Sequence, residues 1–72
     1  MKILVLRTDI KTKEMVEMVT PAFDSHPMVM SWSVDTMDID NVLRIEATEE
    51  VEEEGIIELV KSEGFQCEAL MD

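Results

Sequence analysis

The residues with the most chemical potential stand close together near the start of the chain, in Arg7-Thr8-Asp9-Ile10-Lys11-Thr12-Lys13. The segment joins an apolar run to an amphipathic one, so its polar groups fall where a strand hands over to a helix. The free backbone N–H groups of a first helical turn, with Arg7, Lys11 and Lys13 beside them, suit a carboxylate or a phosphate group. The same residues also have an ordinary reading, in which Asp9 or Thr12 accepts a hydrogen bond as helix cap and the lysines are solvated. A cation is a poorer fit, because Asp9 is a hard oxygen donor, Thr12 a weak one, and three positive side chains oppose its arrival.

Other groups that could hold a metal ion are scattered. Cys67 shares its phase with Phe65 and Ala69, which reads as a buried core thiol before it reads as a ligand. His26 lies in the turn Asp24-Ser25-His26-Pro27 beside Met28, where a histidine is ordinarily solvated. The seven methionines fall mostly at core spacing and read as packing. Asp35, Asp38, Asp40 and Asn41 offer oxygens to calcium, but without the glycine and distal glutamate of an EF-hand loop. For catalysis there is no glycine-rich phosphate loop, no close Cys and His pair, and no Ser, His, Asp ordering. A non-enzymatic protein with no cofactor is expected.

The elements that must position these groups can be read from periodicity. Lys2 to Arg7 is apolar on both faces and reads as a central strand. From about Lys13, Met15, Val16, Val19, Ala22 and Phe23 recur at the spacing of one helix face, and Pro21 predicts a kink or a restart with Thr20 as cap. Met28 to Asp35 alternates, with Met28, Met30, Trp32 and Val34 predicted on one side and Ser31, Ser33 and Asp35 on the other. After a polar connection, Val42 to Ala47 sets Leu43, Ile45 and Ala47 opposite Arg44 and Glu46. Thr48 is expected to cap a second helix whose stripe is Val51, Ile56, Leu59 and Val60 and whose glutamates suit the positive end of the helix dipole. Lys61 and Gly64 mark its end, and Phe65 to Leu70 reads as a fourth strand with Phe65, Cys67 and Ala69 on one face.

Strand, helix, strand, strand, helix, strand in 72 residues is an α+β, ferredoxin-like βαββαβ arrangement: a four-stranded antiparallel sheet with two helices on one face. One domain spanning residues 1–72 is expected. The uncovered sheet face should carry Ser31, Ser33, Arg44, Glu46, Gln66 and Glu68 around an apolar strip from the first strand. Such a face suits a protein partner or a second copy. Acylphosphatases share the arrangement but need a glycine-rich loop with an arginine, and Arg7-Thr8-Asp9 has no glycine.

Composition narrows the partners. Six Lys plus Arg against seventeen Asp plus Glu give a net charge of −11, which repels nucleic acid backbones and anionic lipid headgroups. Such charge also keeps a small domain soluble. Four of the cations lie in the first thirteen residues, so a polarised surface is expected. The apolar runs are too short to span a bilayer, the start leads straight into a strand, and one cysteine fits a reducing compartment, so a cytoplasmic location is expected.

Along nearly its whole length the sequence resembles the heavy-metal-associated, copper chaperone-like superfamily. That family has a strand, a Met-x-Cys-x-x-Cys loop opening the first helix, a Val-Asp closing the second strand, and a Gly followed by an aromatic before the fourth. Here the Val34-Asp35 and Gly64-Phe65 positions agree. In the loop Arg7 stands for the methionine, Asp9 for the first cysteine and Thr12 for the second, so the resemblance carries over no metal ligand. It implies the fold and a binding role, with Asp9, Thr12, His26 and Cys67 left as the donors from which a divergent metal site would have to be assembled.

Overall fold

A computed structural model describes residues 1–70. The elements are β1 (Lys2–Thr8), α1 (Lys13–Asp24), β2 (Val29–Asp35), β3 (Val42–Ala47), α2 (Glu53–Ser62) and β4 (Cys67–Ala69). The strands form one sheet in the order β2-β3-β1-β4, and every neighbouring pair is antiparallel. This is the ferredoxin-like βαββαβ architecture, with β1 in the interior as its apolar sequence implies.

Alternation along β1 decides which side is dry. Leu4, Leu6 and Thr8 point toward the helices and are buried, while Ile3, Val5 and Arg7 face outward. Leu43, Ile45 and Ala47 of β3 lie on the same inner side, where they meet Val19 and Phe23 of α1 and Ile56 and Val60 of α2 in one core. Phe23 anchors it: its ring centroid is 5.0 Å from that of Trp32 on β2, and the Trp32 indole N–H donates to Asp24 Oδ1 at 3.0 Å. Trp32 thus presents its apolar body inward and its polar edge to the helix end.

Four sequence expectations are corrected by packing. First, α1 runs through Pro21 without a break. Pro21 and Glu17, whose carbonyl loses its partner at the proline, are both exposed, so water can take the freed group while Val19 and Phe23 hold the helix to the sheet. Second, the register of β2 slips between Val29 and Ser31. The bulge turns Met30 outward and gives Val29 the inner position, so Met28 and Met30 are exposed and do not join the Trp32 and Val34 side.

Third, Thr48 does not cap α2. Val51 N–H donates to the Thr48 carbonyl in a tight turn that buries Val51, and the helix starts later with Glu52 at its cap and no side-chain capping bond. Glu53 and Glu54 still occupy the first turn, where the dipole favours them. Fourth, β4 is shorter than the Phe65 to Leu70 expected, because Phe65 and Gln66 are engaged elsewhere. Phe65 N–H closes the end of α2 on the Val60 carbonyl at 3.3 Å, and Gly64 at φ +95° makes that closing turn.

Candidate functional site

The antiparallel order brings the end of β1, the start of α1, the β2–β3 turn and the α2–β4 turn to one end of the molecule. Thr8, Asp9 and Thr12, which end β1 and flank the loop after it, each find a side-chain hydrogen-bond partner there. Thr8 is buried; its hydroxyl donates to the Asn41 carbonyl at 2.7 Å and accepts from Ile10 N–H at 3.2 Å. Asn41 adopts φ 46°, the left-handed turn that asparagine tolerates, and this presents the carbonyl to Thr8. Asp9 Oδ1 accepts from Gln66 N–H at 2.8 Å and ties the loop to the approach to β4. Ile10 is fully buried, so the loop is pinned by an apolar plug between two polar anchors.

Thr12 is the helix cap: its hydroxyl accepts from Met15 N–H at 3.2 Å. Lys11 N–H donates to Met15 Sδ at 3.4 Å. Arg7 makes two ion pairs, to Asp40 at 3.2 Å and to Glu68 at 3.0 Å, and crosslinks the β2–β3 turn to β4. Lys11 and Lys13 are exposed and make no ion pair among the described residues. The expected basic end is therefore divided. Lys2 reaches the Val51 carbonyl at the other end of β1, and Arg7 is neutralised where it stands.

Next to this loop lies a cleft of about 500 Å³ lined by Arg7, Thr8, Asp9, Lys61, Phe65, Gln66, Cys67 and Glu68. Cys67 sits opposite Thr8 in the β1–β4 register. It is 5% exposed, and burial pushes its thiol up to about 11. A thiol held neutral in this way is a poor metal ligand at neutral pH, since the thiolate is the binding form. The other candidates are elsewhere. His26 is at the opposite end of α1, where its Nδ1 accepts from Met28 N–H at 3.2 Å, and Thr12 does not line the cleft.

Of the four donors considered for a metal, the structure brings together only Asp9 and Cys67. Among the described residues no group of three or more His, Cys, Asp or Glu is placed to hold an ion. The β2–β3 turn spends its oxygens locally: Asp35 Oδ1 accepts from Met37 N–H, Asp38 Oδ1 from Asp40 N–H, and Asp40 pairs with Arg7. A copper(I) ion prefers paired thiolates, and the loop offers one carboxylate and one hydroxyl, each already accepting a backbone N–H; the donor set does not fit it. The Thr8–Asn41 and Asp9–Gln66 bonds join residues far apart in sequence, and no local pattern announced them.

On the other side of the sheet, Ile3, Val5, Ser31, Ser33, Arg44 and Glu68 are exposed and Glu46 is half-buried. Arg44 pairs with Glu46 at 2.9 Å, and Ser31 Oγ donates to Glu46 Oε2 at 3.2 Å. Among the described residues no helix covers this face.

The fold is that of heavy-metal-associated domains. A copper binding domain from HMA7, a P-type ATPase, is 22% identical with a TM-score of 0.84, covering 99% of this chain and 96% of that one. The yeast copper transporter domain Ccc2a, determined in apo and Cu(I) states, is 18% identical with a TM-score of 0.83, over 100% of this chain and 99% of that one. The CsoZ metallochaperone is 16% identical with a TM-score of 0.77, over 93% of this chain and 96% of that one. No protein-family model and no curated protein matches the sequence. Similarity at these identities defines the architecture alone. No helix among the described residues is long and apolar enough to cross a membrane.

Proposed function

We propose that this chain is a protein-interaction module built on the heavy-metal-associated fold, in which the first turn is a structural corner instead of a thiolate metal seat. The observation that carries the reading is the Asp9–Gln66 bond at 2.8 Å. Together with the Thr12 cap, it commits to the backbone the two side chains that stand where the resemblance would put ligand cysteines. What remains available for recognition is the open sheet face and the exposed Lys11 and Lys13 beside the corner. Its action is binding, without chemistry, by one domain of residues 1–72 in the cytoplasm. A net charge of −11 makes proteins better partners than nucleic acid or membrane.

A divergent metal handler is the second reading, and it has one observation in its favour: Asp9 and Cys67 line the same cleft. Heteronuclear NMR separates the two. The interaction module gives a dispersed, unchanged spectrum in excess chelator and no localised shifts on addition of copper(I) or zinc(II). Stoichiometric shifts centred on Asp9 and Cys67 would move the assignment to the metal handler.

A further inference from the structure

The open face is nearly neutral on a strongly acidic chain. Its centre carries Arg7 and Arg44 against Glu46 and Glu68, paired as described, with Asp35 at one corner. The acidic surplus lies elsewhere, including Glu52, Glu54 and Glu58 on the exposed side of α2 and the segment leading into it. Two copies that met through those surfaces would repel, whereas the sheet face can approach its own likeness. A strongly basic partner would be drawn to the acidic helix surface before this one.

The register supplies the complementarity. Across the sheet, Ser31, Glu46 and Ile3 form one row, and Ser33, Arg44 and Val5 form the next. A two-fold axis parallel to the face, perpendicular to the strands and between these rows superposes each row on the other. It sets Glu46 over Arg44 of the second copy, Ile3 over Val5, and Ser31 over Ser33, with the reciprocal contacts generated by symmetry. Stacked sheets pack about 10 Å apart with strands within about 30° of each other, which leaves these pairs in reach.

We infer that the open sheet face is a homodimer interface in which the Glu46 and Arg44 rows of two copies interlock about a two-fold axis. This rests on the reading of that face as an interaction surface and names its occupant as a second copy. Strand spacing and rise give a footprint of roughly 300–400 Å² per copy. That is below the roughly 800 Å² per partner of a standard interface, so the dimer is weak and transient.

Sedimentation equilibrium and an NMR dilution series from about 10 µM to about 1 mM, with reductant and chelator present, test it. The result expected is a monomer–dimer equilibrium with shifts centred on Ile3, Val5, Ser31, Ser33, Arg44 and Glu46. Glu46→Arg takes the net charge from −11 to −9, so relief of general repulsion would tighten association. Face pairing instead weakens it by about tenfold or more, because the new arginine then meets Arg44 twice. Arg44→Glu weakens it too, and the double exchange R44E/E46R, with net charge unchanged, returns dissociation to within roughly threefold of the parent. A strictly monomeric parent at the top of the series, or tightening by E46R, overturns the inference. Neither result touches the metal-free reading of the corner, which falls only on the metal titration above.

Discussion

Asp9 Oδ1 accepts the Gln66 backbone N–H at 2.8 Å, a bond that spans 57 residues and closes the first corner of the fold onto its last strand. A carboxylate used in this way is a fastener. It holds the loop at the approach to β4 and takes the donor that would otherwise extend that strand. Charge-assisted hydrogen bonds of this kind contribute about 1.5–3 kcal/mol, less where water reaches them. Asp9→Ala is therefore expected to cost about 1–2 kcal/mol, with Asp9→Asn costing less, as measured by urea denaturation. An Asp9→Ala protein as stable as its parent would show that the bond holds nothing.

The two glycines should respond in opposite directions. Gly64 adopts φ +95° in the turn after α2, a conformation that side chains rarely adopt, so Gly64→Ala is expected to destabilise by about 1–2 kcal/mol. Gly55 lies within α2, and an added methyl would meet nothing within 4 Å. Gly55→Ala is expected to stabilise by about 0.5–1 kcal/mol through helix propensity and a less flexible unfolded chain. In a domain of this size each kcal/mol moves the melting temperature by about 4–8 °C, so calorimetry resolves both. Shifts of the same sign would contradict the assigned helix end.

The bulge in β2 makes a prediction about side chains. Met30 is 63% exposed and Val29 half-buried against the core, so Met30→Thr is expected to change stability by no more than about 0.5 kcal/mol. Val29→Thr is expected to cost about 1 kcal/mol, because it puts a hydroxyl where a methyl packs. Guanidinium midpoints with unchanged slopes decide it, and a reversed order of cost would restore the uninterrupted alternation.

Cys67 gives a pH dependence whose sign follows from burial. Its thiol is raised from 9.0 to about 11, so the folded chain prefers it neutral. The stability linked to it is complete below pH 9.0 and is lost as pH rises through about 11. The loss amounts to about 2–3 kcal/mol at full titration. Denaturation of the parent and of Cys67→Ala should converge over that window, and alkylation of the folded parent near pH 8 should be at least about a hundredfold slower than of the unfolded chain. Fast labelling of the native protein would place the thiol in water.

How much of this was legible in the sequence depends on the range of the interaction responsible. Leu43, Ile45 and Ala47 declared the inner face of β3 because period-two burial is a local property, and Met15, Val19 and Phe23 did the same for α1. Met28 and Met30 misled because a bulge inserts one residue without changing composition, and the apparent alternation ran straight through it. Pro21 misled because its missing donor faces water. Thr48 had the chemistry of a cap, but burying Val51 required a turn before the helix. At the site, the Thr12 cap was readable from its place before the helix. The partners of Thr8, Asp9 and Arg7 come from Asn41, Gln66, Asp40 and Glu68, residues that only the sheet order brings near.

On the proposed reading, the corner at Asp9 and Thr12 gives a soft ion no place to bind. Competition for copper(I) against a chromophoric chelator, on reduced protein, measures this directly. The result expected is that the protein withdraws no metal from the chelator and that Asp9→Ala and Cys67→Ala behave as the parent does. Removal of one equivalent by the parent, abolished by either substitution, would contradict it.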